Sequence, residues 1–474
     1  MPKSASSGSV SVRMYRGILG DCFLLRIEED GAAARHILID CGVLQGVENA
    51  RDRMKEIVSD ILATTGGKLD LLVVTHEHHD HLSGFLYERE RFQNQFEIRE
   101  FWLAWTENPN DPMAIALHQH FDKAKETLAA LAANPKMTAL KGHNANITTA
   151  LELSAFMGVS GSSRPTGAST LKMLKEKASP ARTRYLEPGD VVRPAEIAGL
   201  KAFVMGPPRD EKRLRKDLPS SGAAKEVYLT HLEDAHAIQL QLDHLSGTTV
   251  SALDLPFSLP HQRPLAAIAQ KKVANLSITQ KLYYDPAAAK KKIDDEWYSS
   301  AEALALKMDS DTNNTSLVLA FELPDGQILL FPGDAQVGNW LSWGDQTYPR
   351  TPDPKQGDVL TVDDILARVT LYKVGHHCSH NATLRQLGLE KMTDCRLVAM
   401  IPVVTQDAKN NGWNMPYPEL YAALQEKTHH RVVIGDSIVA NELSTFMATP
   451  TAPQNRAVLD YHQKELWVEI KISF

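Results

Sequence analysis

The sequence predicts an α/β protein, and three observations lead to that fold class. Segments with strand-like patterns alternate with helix-like segments near both ends of the 474-residue chain. The segment 68–75, KLDLLVVT, is a continuous apolar run of the kind found in strands that are buried on both faces. Three predicted strands, finally, are followed directly by histidine or aspartate, so that potential metal ligands stand at each of these strand ends.

The predicted elements follow the chain in this order. Up to residue 106 they are two or three strands between residues 10 and 41, a helix at 50–63, the strand at 68–75 and a strand at 98–106. The middle is less regular, with helices at 111–135 and 166–178, strand pieces at 183–192 and 199–210, and loops with some helix over 208–310. Beyond it, two strands joined by a PDG turn predict a hairpin over 314–334. A helix at 361–369, strands at 369–374, 396–404 and 430–436, and a helix from about Tyr417 complete the chain.

The composition excludes several classes of protein. With 43% hydrophobic and 23% charged residues, the chain is of the soluble globular type, and its net charge of −7 gives no global basic field for nucleic acid. Its four cysteines are scattered without a CxxC pair, which argues against a disulfide framework and a zinc finger. It contains no run of 18 apolar residues and no signal-peptide pattern. We therefore expect a cytoplasmic protein without a membrane partner and with a flexible tail at 1–9.

The strongest local signal is a His-x-His-x-Asp-His motif directly after the strand 68–75, formed by His76, His78, Asp80 and His81. Four metal-competent side chains within six residues at a strand end predict a metal site rather than a packing role. If the segment is extended, His76 and His78 point the same way, and the last two side chains face a second position one turn later. A loop that is rich in histidine by chance is the simpler alternative.

Two further strand ends carry comparable side chains. Asp334 follows a predicted strand in FPGDA, and His376 and His377 follow another in KVGHHCSH. Taken singly, a Gly-Asp pair is usually a turn, and a histidine at a strand end is usually an ordinary surface residue. Three such strand ends in one chain make a coincidence unlikely and favour a metal-binding role for these side chains.

These motifs resemble those of the metallo-β-lactamase superfamily. The likeness covers IDCG at 39–42, THEHHDHLSG at 75–84, PGDA at 332–335 and VGHH at 374–377. It implies a four-layer αβ/βα sandwich with metal at the strand ends between two sheets. Since ligands from both ends of the chain must then meet, it also implies one catalytic domain over 10–474, with an insertion or cap at about 106–310.

The resemblance also implies a set of ligands. His76 and His78 would bind one zinc ion, Asp80 and His81 a second, and Asp334 would bridge the two. His377 would supply the last ligand, with His376 as an alternate ligand or a supporting neighbour. Members with two metals usually have a further histidine between the first motif and the bridging aspartate. His118, His120, His143, His231 and His236 all lie in this interval, and none of them has a matching Gly-His-Thr context.

The second half of the chain has a closer likeness. NNTSLVLAF at 313–321, LLFPGDA at 329–335 and LYKVGHHCSHNAT at 371–383 resemble the metallo-β-lactamase-like domain of bacterial competence (DNA-uptake) channel proteins. Without the membrane-spanning segments of those proteins, this chain would be a soluble, stand-alone relative. Asn313 and Asn314 would either line the site or form the turn that opens the next strand.

The chemistry that the resemblance implies is hydrolysis by a metal-bound hydroxide, because two divalent ions lower the pKa of bound water toward about 7. Asp80 or Asp334 would orient the hydroxide, and His380 or His376 would protonate the leaving oxygen or orient a ligand histidine. Many β-lactamases have cysteine where Asp334 stands, whereas aspartate is the pattern of hydrolases of phosphodiesters, thioesters and lactones. We therefore expect two Zn2+ ions, with Mn2+ as the other candidate, and no antibiotic hydrolysis.

Three functions follow from these observations. The first is phosphodiester hydrolysis, with nucleic acid as a candidate substrate, which basic runs at 209–216, 271–281 and 289–294 favour and the net charge opposes. The second is hydrolysis of a small ester, lactone or thioester in an enclosed pocket. The third is a metal-binding scaffold without catalysis, if the missing histidine leaves the metal set incomplete.

Overall fold

The computed structural model describes residues 8–44, 47–139, 141, 143–156, 167–216, 297–349, 359–436 and 460–474. Its strands are β1 (Gly8–Tyr15), β2 (Cys22–Glu29), β3 (Arg35–Cys41), β4 (Lys68–Leu69), β5 (Leu71–Val73), β6 (Glu97–Ile98), β7 (Phe101–Ala104), β8 (Thr183–Leu186), β9 (Val191–Val192), β10 (Lys201–Gly206), β11 (Val318–Glu322), β12 (Ile328–Phe331), β13 (Thr347–Pro349), β14 (Val359–Thr361), β15 (Val369–Lys373), β16 (Val398–Ile401), β17 (Val432–Ile434), β18 (Asp460–Gln463) and β19 (Trp467–Ser473). Its α-helices are α1 (Ala50–Thr65), α2 (His79–Tyr87), α3 (Arg89–Asn94), α4 (Pro112–Ala133), α5 (Pro135–Thr138), α6 (Ala145–Phe156), α7 (Gly167–Ala178), α8 (Glu211–Leu214), α9 (Trp297–Asn314), α10 (Val337–Trp343), α11 (Val362–Leu366), α12 (Thr405–Asn410) and α13 (Pro418–Lys427).

Most strands belong to two mixed sheets, ordered β18-β19-β1-β2-β3-β5-β7-β8 and β17-β16-β15-β12-β11-β10-β9. The predicted hairpin is confirmed, since β11 and β12 pair antiparallel with Glu322 opposite Ile328. Parallel pairing joins β3 to β5 and β5 to β7 in the first sheet, and β12 to β15 and β15 to β16 in the second. Because parallel strands end at the same edge, the segments that follow β12 and β15 emerge side by side.

The two sheets face each other across an apolar core. Phe23 of β2 meets Phe331 of β12 edge to face at 5.7 Å between ring centroids, and Trp102 of β7 stacks on Phe321 of β11 at 6.4 Å. On the outer face of the first sheet lie α1, α2 and α7, and on that of the second lie α10, α11 and α13. The protein therefore has an α/β sandwich of four layers, helix–sheet–sheet–helix, which is the architecture that the resemblance implied.

Two of the predicted boundaries differ from the structure. The tail was predicted to reach residue 9, but Gly8 and Ser9 already pair with β2 and β19. Within the predicted insertion, β8 pairs with β7 in the first sheet, and β9 and β10 join the second. Residues 183–206 thus belong to the sandwich, because apolar side chains of this segment pack in the core between the two sheets.

The remaining described part of the predicted insertion is helical and lies next to the strand ends. Helices α4 and α6 pack against α9, which leads directly into β11. Lys125 of α4 forms an ion pair with Glu77, the residue between His76 and His78. In the described ranges, no helix combines the length and the apolar character needed to cross a membrane.

Candidate metal centre

Three loops bring the six predicted metal ligands to one edge of the sandwich. The first loop follows β5 and is extended at His78, directly before the first turn of α2. The other two follow β12 and β15, which are parallel neighbours in the facing sheet. All six side chains are buried, namely those of His76, His78, Asp80, His81, Asp334 and His377.

Asp334 lies at the centre of this cluster. Its Oδ2 is 3.2 Å from Nε2 of His81 and 3.4 Å from Nε2 of His377. Asp80 approaches the same two rings, with its Oδ2 2.8 Å from Nε2 of His377 and 3.6 Å from Nε2 of His81. Asp334 therefore stands between two histidines that come from opposite sheets, a position from which it can share one ion with both rings.

Asp21 is a further carboxylate of the cluster. One ligand atom each from Asp21, His81, Asp334 and His377 lie within 4.8 Å of one another, and all four residues are buried. Asp21 directly precedes β2 and was not predicted from the sequence. Its only signal is the pair Gly20-Asp21 between two strands, and such pairs are common in ordinary turns.

His76 and His78 form the remaining part of the cluster, next to His81. Their ring centroids are 4.7 Å apart, and the ring of His76 is 4.1 Å from that of His81. Nδ1 of His76 lies 3.1 Å from the hydroxyl of Thr75 and 3.2 Å from that of Ser316. These hydroxyls engage Nδ1 and leave Nε2 of His76 as the ring atom available to a metal.

The unsatisfied atoms of the cluster fit a bound cation. Among the described residues, no hydrogen-bond partner is found for five of its buried atoms: Oδ1 of Asp21, Nε2 of His76, Oδ1 of Asp80, Nε2 of His81 and Oδ2 of Asp334. Each buried polar atom without a partner costs about 1–3 kcal/mol, so several at one place indicate a missing ligand or ion. Imidazole nitrogens mixed with carboxylate oxygens are a donor set for Zn2+ and Mn2+.

Burial and charge divide the four histidines into two pairs. Burial lowers the pKa of His76 well below its usual range and that of His78 to about 4, so both rings are neutral, the form that binds metal. Burial also disfavours the charged form of His377 and His81, but nearby carboxylates outweigh it. Asp334 and Asp80 raise the pKa of His377 to about 10. The same two carboxylates raise the pKa of His81 well above its usual range. A metal must displace these protons, so acid opposes metal binding.

Hydrogen bonds from the other ring nitrogen orient both charged histidines. Nδ1 of His81 donates to Oδ2 of Asp40 at 2.8 Å, and Nδ1 of His377 donates to the carbonyl of Pro402 at 2.8 Å. Asp40 is itself held by the backbone N–H of Thr75 at 2.8 Å and by its hydroxyl at 2.7 Å. In both rings, Nε2 is thereby directed at the carboxylates of Asp80 and Asp334.

Replacing Asp40 with asparagine is expected to weaken metal binding about 10–100-fold, the usual effect of losing a carboxylate that orients a ligand histidine. Both oxygens of Asp40 accept hydrogen bonds from Thr75 and His81, whereas asparagine has only one acceptor oxygen. Its N–H₂ group would therefore lie against one of these donors. Competition with a chromophoric chelator measures the change. Asp70→Asn is the matched control, since Asp70 is a buried carboxylate that accepts from the N–H of His36 at 2.9 Å. Equal losses in both variants would contradict an orienting role for Asp40.

Lys373 places a fixed positive charge beside the cluster. Its buried ammonium group forms an ion pair with Asp21, donates to the carbonyl of Gly333 at 2.8 Å and lies 3.2 Å from Oδ1 of Asp334. Burial disfavours this charge, but Asp21 and Asp334 raise the pKa of Lys373. Lys373 thus engages Oδ1 of Asp334 and leaves Oδ2 to the histidines.

His376 and His380 lie apart from the buried ligands. Nδ1 of His376 is 2.8 Å from the hydroxyl of Ser379, and Nε2 is 3.4 Å from Nδ2 of Asn313. Its backbone N–H, by contrast, donates to Oδ1 of Asp334 at 3.2 Å. His380 is exposed, with its ring 6.1 Å from that of Tyr417. The contacts of His376 fit the supporting role rather than that of an alternate ligand, and a catalytic role for His380 stays a prediction.

The two asparagines before β11 have different roles. Asn313 is buried and faces the site, with its amide near His376. Asn314 ties loops together instead, since its Oδ1 accepts from the backbone N–H groups of Gln336 and Asn339, both at 3.2 Å. Both residues end α9 rather than forming a separate turn.

No histidine between the first motif and Asp334 joins the cluster in the described part of the chain. His118 donates to the carbonyl of Thr106 at 2.9 Å, His143 lies 3.3 Å from the carbonyl of Lys141, and the ring of His120 contacts Phe121. His231, His236, His244 and His261 lie outside the described residues. The side chain that faces His78 is Asp309 of α9, whose Oδ1 is 3.8 Å from Nε2 of His78.

The fold and the cluster together define a four-layer sandwich protein with a candidate metal centre. The family model of the metallo-beta-lactamase superfamily matches residues 16–122, a span that contains Asp21, Asp40 and the His76–His81 motif. This match supports placing the chain in that superfamily and, with the cluster, suggests a metallohydrolase. A comparison with curated proteins found no match.

Proposed function

We propose that this protein is a metal-dependent hydrolase that cleaves phosphodiester bonds, with nucleic acid as a candidate substrate. The observation that carries the proposal is the position of Asp334, a buried carboxylate whose Oδ2 lies within 3.4 Å of both His81 and His377. His76 and His78 would hold one ion, and Asp80, His81 and His377 a second, with Asp334 between them. Bound Zn2+ or Mn2+ would polarise the substrate and lower the pKa of water.

Polar side chains beside the cluster support an anionic substrate. Asn313, Gln336 and Ser379 lie around His376. The amide nitrogens of Asn313 and Gln336 are each 3.4 Å from a ring nitrogen of His376. Amide and hydroxyl groups suit the oxygens of a phosphate diester better than the apolar body of a small ester.

Nucleic acid as the substrate rests on the likeness to the competence-channel domain rather than on the basic runs. In the run at 209–216, Arg209 pairs with Glu187 and Asp111, Arg213 with Asp345, and Arg215 with Glu211. These arginines are neutralised within the protein and contribute little to a field that attracts phosphates. The runs at 271–281 and 289–294 lie outside the described residues.

The test compares substrate classes on one preparation of the full-length protein, loaded with Zn2+ or Mn2+ and analysed for metal content. We expect turnover of bis(p-nitrophenyl) phosphate and of single-stranded DNA or RNA, its loss after chelation and its return when metal is added back. Turnover of p-nitrophenyl esters, lactones or thioesters without diester cleavage would replace the proposal by a small-ester hydrolase. Bound metal without turnover of any substrate would indicate a scaffold protein.

A further inference from the structure

The resemblance leads one to expect a third histidine at the metal site of His76 and His78. Two imidazoles and one shared carboxylate are three protein ligands, whereas a closed tetrahedral zinc site has four. The part of the chain that the structure describes offers no histidine for this place, as shown above. A carboxylate side chain of α9, that of Asp309, lies beside His78 instead.

We propose that Asp309 supplies the missing protein ligand of the His76–His78 metal site. This inference rests on the proposed function, because it assumes that the cluster binds metal. It assigns to α9 a direct part in the metal centre, although α9 lies within the interval predicted to be an insertion or cap.

The geometry of Asp309 carries the inference. Its Oδ1 lies 3.8 Å from Nε2 of His78, is buried and has no hydrogen-bond partner among the described residues. Two donor atoms that each lie about 2.0–2.2 Å from a tetrahedral ion are roughly 3.3–3.6 Å apart. A small movement of the side chain therefore suffices to place both atoms on one ion.

Neighbouring contacts hold the carboxylate in this position. Its other oxygen, Oδ2, accepts a hydrogen bond from Nδ2 of Asn313 at 3.3 Å, one turn further along α9. The helix is tied to the adjacent loop because the hydroxyl of Ser310 donates to Oε1 of Gln336 at 2.5 Å. Asp309 is thus presented to His78 by a helix that packs against α4 and α6, which is the rigid support that a ligand requires.

A carboxylate in place of a histidine changes the preference of the site. It adds one negative charge and exchanges a borderline nitrogen donor for a hard oxygen donor. A site with two imidazoles and two carboxylates, from Asp309 and Asp334, accepts Mn2+ more readily than one with three imidazoles. Converting the carboxylate to an imidazole should shift this preference back toward Zn2+.

The experiment measures metal binding by the full-length, metal-stripped protein, using Zn2+ and Mn2+ titrations against a chromophoric chelator and the visible spectrum of bound Co2+. We expect Asp309→Asn to lower the affinity of one of the two sites at least about tenfold and to alter its Co2+ spectrum, with the other site unchanged. Asp309→His should bind Zn2+ again but hold Mn2+ more weakly than the wild type. Asn313→Ser, which removes only the amide that supports Oδ2, should give a smaller loss in the same site.

Asp311→Asn is the control variant. Asp311 lies on the same helix and pairs with Lys307 at 2.6 Å. Circular dichroism and melting of the metal-free variants verify folding, and Asn313→Ser carries the test if Asp309→Asn does not fold. Affinities within about threefold of the wild type in the Asp309→Asn and Asn313→Ser variants, or equal losses in Asp311→Asn, would overturn the inference. A wild type that binds no metal would instead refute the proposed function.

Discussion

Replacing Asp334 with alanine is expected to reduce diester hydrolysis about 1000-fold or more, a loss of roughly 4 kcal/mol in transition-state stabilisation. Asp334 is the side chain that stands between His81 and His377, and its Oδ2 is one of the buried atoms without a hydrogen bond in the described structure. Without this carboxylate, two imidazoles from opposite sheets lose the group that joins them. Metal content should fall by at least one ion per chain, as measured by elemental analysis alongside turnover of bis(p-nitrophenyl) phosphate.

Asp345→Asn provides the comparison for this variant. Asp345 lies after α10, is largely exposed and pairs with Arg213 on the surface, so its loss should leave metal content and turnover unchanged. Lys373 retains Asp21 as a partner when Asp334 is removed, which limits the cost of leaving its charge buried. Full metal content in a folded Asp334→Ala protein would show that this residue is not a ligand.

Replacing Gly42 with alanine is expected to destabilise the protein by about 2–3 kcal/mol, the cost of overpacking a rigid interior. A Cβ atom at Gly42 would lie 2.2 Å from the carbonyl carbon and oxygen of Asp80 and 2.4 Å from the backbone N of His81. These are backbone atoms, so the peptide between two site residues must move by roughly 1 Å. A displacement of this size at a reacting centre costs about 100-fold in rate, and we expect losses of that order in turnover.

The matched control for this substitution is Gly344→Ala. Gly344 has an ordinary helical conformation at the end of α10, and a Cβ there would meet no atom within 4 Å. Alanine at such a position stabilises a protein by about 0.4–1 kcal/mol through the unfolded state. Thermal melts and chelator competition on both variants separate the two cases. If Gly42→Ala leaves the stability and the metal affinity unchanged, the peptide between Asp80 and His81 can move without a measurable cost, contrary to this prediction.

The sequence was informative wherever ligands stand close together in the chain or directly after a strand. The spacing of His76, His78 and His81 is a local pattern, and the strands before Asp334 and His377 are short apolar runs that end abruptly. Parallel pairing brings the ends of β12 and β15 to one edge of their sheet. The His76–His81 motif reaches them because β5 lies in the sheet that faces this one. The hairpin was predicted from its own residues, whereas the four-layer sandwich was implied by the resemblance to the metallo-β-lactamase superfamily.

The boundaries of the predicted insertion could not be derived in this way. The segments that form β8 and β10 were correctly expected to be strands, but their partners are chosen by long-range pairing. The residues of a short strand do not indicate whether it joins one of the two sheets or belongs to a cap. Only the packed core shows that Leu186 and Val204 lie between the two main sheets.

By itself, then, the sequence determined the fold class and the identity of the side chains that are candidate metal ligands. The tertiary structure decided which other groups surround them: Asp21, Asp40, Asp309 and Lys373. Each of these is a single charged residue without a motif, and such residues usually lie at the surface. What distinguishes them is burial beside opposite charges or unpaired polar atoms, a property of distance in space that no spacing along the chain encodes.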